Sequence, residues 1–232
     1  MEVRSTDGVE PDGTGLVIII PMLGRPHRVK PLLESIDQAT PRASVLFMLS
    51  SNDTTVKREV RATGRPFREM SYRSVGDYAT KINNGIACTT EPLIFTAADD
   101  LKFYPGWFEE ALKMLTPGIG VVGTNDLGNP RVTSGDHATH FLVTREYTKR
   151  GTIDRPNSGM LFHPEYPHEF VDDELVGTAK KRGAWAMAID SHVEHLHPHW
   201  GKAPTDTLYE QQRYRMRLGQ SIYRRRVRLW TS

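Results

Sequence analysis

Hydrophobic positions along the chain fall into short solid runs separated by amphipathic stretches. "GLVIII" at 15–20 is a continuous apolar run of strand length, rich in β-branched residues. Such a run suits a strand buried on both faces of a parallel sheet. "PMLGRPHR" breaks the chain, and "VKPLLESIDQA" follows with helical apolar spacing despite Pro31 near its start. The alternation continues. "SVLFML" (44–49) reads as a strand, "TTVKREVRAT" as a helix closed by Gly64, and "FREMSY" as a short strand. "GDYATKINNGIAC" reads as a helix, "PLIFTA" as a strand, "PGWFEEALKML" as a helix with Pro in its first turn, and "GIGVVG" (118–123) as a strand. Alternation at this pitch predicts an α/β fold: a Rossmann-like, mostly parallel central sheet with helices on both faces. Right-handed crossovers then gather the strand C-termini along one edge, where open α/β sheets bind ligands.

Beyond residue 124 the pattern loosens. "GDHATHFLVT" predicts a strand that rejoins the sheet, and "DRPNSGMLFHPEYPHEF" a loop. "DDELVGTAKKRG" is a helix with acids in its first turn, bases in its last and Gly183 as a stop. "AWAMAID" reads as a strand and "HVEHLHPHWGK" as a histidine-rich exit loop. The domain expectation is a loose N-terminus over 1–14, a single domain over 15–204 and a basic helical tail over 205–232.

Composition narrows the function classes. A formal net charge of +2 creates no global field that demands nucleic acid. Cys88 is the single cysteine, so an internal disulfide and a thiolate zinc site are excluded, and its helical setting predicts a small buried thiol. The longest apolar run, "LVIII", is too short to span a bilayer, and no signal segment opens the chain. A cytoplasmic location is expected, the host cytoplasm for a phage-encoded chain.

Three stretches can carry chemistry. The first is "IFTAADDLKFYPGW", where an apolar strand ends in adjacent carboxylates, Asp99 and Asp100, at the ligand edge of the sheet. Neighbouring carboxylates repel and resist dehydration, so either water or a bound cation compensates them. Hard divalent cations take such oxygens, and a nucleotide diphosphate needs one. The second is "HVEHLHPHW", with His192, His195, His197 and His199. It matches no zinc signature, and the bland reading is a solvated loop. One histidine joining Asp100 on a cation is the economical functional reading, and a mixed oxygen–imidazole shell favours Mn²⁺ over Mg²⁺. The third is "EFVDDEL" (169–175), where a carboxylate ahead of a helix is a cap, a general base, or both, since the run holds several acids.

Taken in order, "VIIIPMLGRPHRVKPLLESI", "KINNGI", "LIFTAADDLKFYPGWFEEAL", "DDELVGTAKKRG" and "VEHLH" resemble the family-2-like glycosyltransferases with the GT-A fold, over roughly residues 16–200. The short length and "HLHPHWGK" look like the small members found in some actinobacterial phages. The resemblance implies a nucleotide-sugar donor and a divalent cation. It implies Asp100 as metal ligand, although Ala98 stands where the family's first Asp is usual, with Asp99 near the sugar or ribose. Pro21, Gly24 and Arg25 match the loop against the nucleotide, with Arg25 on a phosphate or the base. Asp53 is the candidate for the base-binding aspartate, without the usual acidic pair. Asn83, Asn84 and Gly85 match the helix motif, with Asp77 and Lys81 able to reach the donor. The late acidic motif aligns on "VDDEL" and puts Asp172 at the base position, with Val171 where an acid is common and Asp173 as rival. The metal histidine is His195, with His197 second, and Trp107 resembles the acceptor-side tryptophan, against a plain packing role.

The resulting expectation is a metal-dependent, inverting glycosyltransferase whose acceptor hydroxyl belongs to a protein, a glycan or a modified nucleic acid. A nucleotidyltransferase would share the half-sheet and acidic strand end, but its Gly- and base-rich signature is reduced to "GRPHR". A non-catalytic sugar- or protein-binding module is the third class, which Ala98 keeps open. The tail from Tyr209 to Trp230 carries seven arginines. It reads as an amphipathic helix packed on the domain through Tyr209, Met216, Leu218, Ile222 and Trp230, or as a contact for an anionic surface. Neither the sugar nor the oligomeric state is legible.

Overall fold

The computed structural model describes residues 8–71 and 76–231. The first apolar run forms β1 (Leu16–Pro21), and its alternation decides the layering. Leu16, Ile18 and Ile20 point into one apolar layer, while Val17 and Ile19 point into the other. Burial on both faces is what a central parallel strand requires.

In chain order there follow α1 (Val29–Ala39), β2 (Ser44–Ser50), α2 (Thr54–Ala62), β3 (Phe67–Met70), α3 (Tyr78–Ala87), β4 (Leu93–Thr96) and β5 (Leu101–Phe103). Next come α4 (Trp107–Lys113), β6 (Val121–Asn125), α5 (Pro130–Thr133), β7 (Phe141–Thr144) and α6 (Arg145–Lys149). A small ribbon, β8 (Gly151–Thr152) with β9 (Arg155–Pro156), precedes α7 (Val171–Lys181) and β10 (Trp185–His195). Three C-terminal helices close the chain: α8 (Thr207–Glu210), α9 (Gln212–Arg226) and α10 (Arg228–Thr231). The strand expected over 67–72 ends at Met70, and Tyr72 lies outside the described residues.

Eight strands form one sheet in the order β3-β2-β1-β4-β7-β6-β10-β5. β3, β2, β1 and β4 pair in parallel, as does β6 with β10. β7 lies antiparallel between β4 and β6, and β5 pairs antiparallel with β10 at the edge. Helices α1, α2 and α4 cover one face, and α3 and α7 the other. The C-terminal ends of β1, β2, β4 and β10 therefore share one edge with the start of β7.

The helix over α3 lies close on β1. A Cβ built on Gly85 would sit 2.5 Å from Ile19 Cγ2. Gly85→Ala is expected to destabilise the protein by about 1–3 kcal/mol, the usual cost of overpacking. A denaturant midpoint that does not move would contradict this close packing.

Four expectations change. Residues 8–14, read as loose, form a turn in which Arg42 N–H donates to Asp12 O at 2.9 Å, while 1–7 lie outside the described residues. Cys88 is exposed, because α3 ends just before it and turns it out of the core. The exit loop begins later than expected, since β10 continues through His195 after a register shift between Ala188 and His192. The tail is integral to the domain. Ile222 and Trp230 are buried, and Trp230 packs where a Cβ on Gly177 of α7 would stand. Arg225 pairs with Glu165, and Arg226 with Asp154 and Glu174. Arg226 serves the fold, whereas Met216, expected to pack on the domain, is exposed. Among the described residues no helix is long and apolar enough to cross a membrane.

Candidate active site

At the shared strand edge lies a narrow cavity of about 200 Å³, and beside it a wider cleft of about 940 Å³. Thr139, Asp172, His195, His197 and Tyr209 line both.

The acidic pair is delivered by β4, whose apolar strand ends four residues before Asp100. Both carboxylates are buried. Arg25, from the loop after β1, answers them: its guanidinium donates to Asp99 Oδ1 at 2.9 Å and stands 3.6 Å from Asp100 Oδ2. Burial, then the neighbouring Asp100 charge, pushes the Asp99 carboxyl up to about 6. Burial also works against Asp100, but His195, Tyr209 and Arg25 outweigh it and hold that carboxyl well below its ordinary value.

The register of β10 on β5 explains why His195 reaches Asp100. His195 pairs with Leu101, and Leu196 N–H donates to Asp100 O at 2.8 Å. The imidazole Nε2 then stands 3.4 Å from Asp100 Oδ2. Burial lowers the His195 pKa, but the Asp100 carboxylate raises it further, so the net shift is upward. His197 lines the same cavity, with burial and His195 pushing it down to about 4. His192 and His199 are exposed and stand outside the narrow cavity.

Lys81 is almost wholly buried, with burial lowering its pKa against the opposing Asp77 charge. Its ammonium donates to Met22 O and Ser50 Oγ, both at 2.8 Å, and lies 3.2 Å from Asp77. This knot ties the ends of β1 and β2 to the start of α3, and Pro21, Asp77 and Lys81 all line the cavity.

Across the cavity, Asp172 sits in the first turn of α7. Its Oδ2 is 3.2 Å from Nε2 of His137, a ring only 2% exposed whose Nδ1 has no hydrogen-bond partner. The ring therefore donates from Nε2 to Asp172. Burial raises the Asp172 pKa, but the His137 hydrogen bond and charge outweigh it, and the net shift is downward. Asp173 instead receives Arg131 at 2.9 Å, and burial together with Asp172 raises it. Among the described residues, His137, Asp172 and Asp173 bring ligand atoms within 4.8 Å of one another, but Arg131 already supplies a cation there.

Five sequence candidates stand outside the narrow cavity, Asp173 on the wide cleft among them. Asp53 caps α2 through Val56 N–H and accepts from Gly24 N–H at 2.6 Å, so both residues brace the loop behind the site. Asn84 is exposed and donates to Thr80 O. Trp107, 1% exposed, packs edge-on against Phe95 and Phe103 in the core, because α4 turns that face toward the sheet. The acceptor-side reading of Trp107 is thereby corrected to the packing one.

The structure adds His140, His168, Tyr209 and Arg215 to the cavity. His140 arrives because β7 runs antiparallel, so its start reaches the ligand edge. Burial, reinforced by His195, pushes its imidazole down to about 3, whereas His168 is exposed. "HATH" ahead of an expected strand was the available signal for His137 and His140, but strand direction is not encoded locally.

No protein-family model matches the chain, and no curated protein sequence does. Solved structures do. A mannosyltransferase from Pyrobaculum calidifontis, solved with GDP-Man and Mn²⁺, superposes with a TM-score of 0.61 at 17% identity. The match covers 89% of this chain and 63% of that one, so this chain spans less than two thirds of it. A glucosyl-3-phosphoglycerate synthase from Mycobacterium tuberculosis, solved with Mn²⁺, UDP and phosphoglyceric acid, superposes at 0.60 with 14% identity over 90% of this chain and 78% of that chain. The same synthase with phosphoglyceric acid alone gives 0.59 at 13% identity over 90% and 79%. At these identities the likeness establishes the architecture: the chain has the GT-A fold.

Proposed function

We propose that this chain is a nucleotide-sugar-dependent glycosyltransferase that uses a divalent cation, Mn²⁺ ahead of Mg²⁺. The observation that carries the reading is the meeting of Asp100 and His195 at 3.4 Å, beside Arg25 and facing Asp172, at the ligand edge of a GT-A sheet. A buried carboxylate and a partly buried imidazole fit a borderline cation of the Mn²⁺ class. Support also comes from two of the similar solved structures, which hold Mn²⁺ with GDP-Man or UDP.

In this reading Asp100 and His195, with His197 in reserve, hold the cation, which neutralises charge on the nucleoside diphosphate leaving group. Arg25 and Asp99 contact the donor, and Asp77 with Lys81 shapes its nucleotide end. Asp172 accepts the proton of the acceptor hydroxyl as that oxygen attacks the anomeric carbon, and the configuration inverts. His137 holds the Asp172 carboxylate in place. The wider cleft receives the acceptor.

Calorimetry with UDP and with GDP tests the reading, each in Mn²⁺ and again with a chelator. Binding in Mn²⁺ that the chelator abolishes is expected. Equal affinity in both conditions overturns it. Release of nucleoside diphosphate from a nucleotide sugar separates this function from a nucleotidyltransferase, which releases pyrophosphate, and from a binding module, which releases neither.

A further inference from the structure

The cavity that would take the donor already holds polar side chains from the C-terminal segment. Asp206 comes from 181 residues beyond Arg25, and its carboxylate accepts Nε at 2.7 Å and Nη2 at 3.1 Å in a two-pronged pair. Carboxylate and phosphate oxygens receive an arginine fork in the same way. Three residues on, the Tyr209 hydroxyl donates to Asp100 Oδ2 at 2.7 Å, the oxygen that also faces His195. The Arg25 guanidinium lies 4.0 Å over the Tyr209 ring. An anion is thus in place on the arginine, and a proton donor is in place on the carboxylate expected to bind a cation.

Two further observations bear on this arrangement. The remaining space, about 200 Å³, falls below the roughly 300–1,000 Å³ typical of small-molecule sites. α8 contains no fully buried residue: besides these polar contacts it is held by the half-buried Leu208 beside Gly24 and by the Tyr209 ring against His197. Its flanks are fixed. Lys202 donates to Leu127 O at 2.9 Å and pairs with Glu194, while Gly219 packs on the Glu169 backbone. Residues 203–211, ahead of α9, can therefore move while Arg215 beside Glu169 and Leu218 against the core keep the rest of the tail docked.

We propose that Asp206 and Tyr209 are internal stand-ins for ligand, Asp206 for a phosphate on Arg25 and Tyr209 for the cation on Asp100, and that a cation–diphosphate ligand binds by displacing α8. The identity of that ligand rests on the function proposed above, but the displacement does not. Ligand affinity is then reduced by the fraction of molecules in which the plug is closed.

The test uses Asp206→Asn and Tyr209→Phe in the full chain. Asn caps a helix as well as Asp does, and Phe retains the ring on Arg25, so both variants keep α8 intact. Removing either charge-assisted contact is expected to raise the affinity for Mn²⁺ with UDP or GDP by roughly tenfold. Unchanged affinity overturns the proposal. Weaker binding overturns it too, since it would make these side chains part of the ligand site. Mn²⁺ alone, followed by electron paramagnetic resonance, separates this proposal from the functional one. Tighter Mn²⁺ binding by Tyr209→Phe supports the plug even if neither nucleotide binds, and unaltered Mn²⁺ binding rejects it.

Discussion

Asp172→Asn is expected to leave a folded protein that binds Mn²⁺ and nucleotide as the native chain does, yet transfers sugar at least about a hundredfold more slowly, the scale of general-base loss. Like Glu169, this carboxylate lines both the narrow cavity and the wide cleft, where donor and acceptor would meet. The hydrogen bond from buried His137 fixes its rotamer. Asn keeps the size and an oxygen for His137 to donate to, so the loss measures basicity rather than packing. The missing charge at the start of α7 costs only about 0.3–1 kcal/mol of stability. Asp173→Asn breaks the pair with Arg131 and is expected to act mainly on helix stability. Initial rates, with the anomeric configuration of product followed by NMR, decide the matter. If Asp173→Asn abolishes transfer and Asp172→Asn does not, the role moves one residue along. If neither slows transfer and the configuration is retained, inversion must be abandoned.

Arg226→Ala should cost about 3 kcal/mol, the lower end of the range for breaking a buried ion pair. The guanidinium donates two bonds to Glu174, both at 2.7 Å, and two to Asp154, both at 2.8 Å. Its removal strands Glu174, only 4% exposed on α7, while the more exposed Asp154 regains water, hence the lower end. Urea unfolding measures the loss, and a change under 1 kcal/mol would mean that the tail is not cooperative with the domain. Acid gives an independent reading. The Arg226 hydrogen bond holds the Asp154 carboxyl well below its unfolded value. A depressed carboxylate contributes stability at neutral pH that is lost as pH falls through the folded value. Native protein should therefore lose stability on acidification more steeply than Arg226→Ala does.

Much of this molecule is legible locally. Apolar runs such as Leu16–Ile20 and Leu93–Thr96 announce strands buried on both faces, because burial there leaves no position for a polar side chain. Acids at the start of α7 and bases at its end mark that helix through its dipole. Asp100 follows from the same logic, as a carboxylate ending an apolar strand at the ligand edge. Tertiary structure decided what joins it. β7 runs antiparallel and so brings His140 to the edge. The register of β10 on β5, set after a shift between Ala188 and His192, puts His195 rather than another histidine of "HVEHLHPHW" on Asp100. Trp107 and Cys88 went the other way, one into the core and one out of it, because the facing of a short helix depends on the layer it packs against. Tyr209 reaches Asp100 across 109 residues, and Asp206 reaches Arg25 across 181. Periodicity and capping act over a few residues and can be read along the chain. Contacts at such separations are chosen by the packing of whole elements, which no local pattern contains.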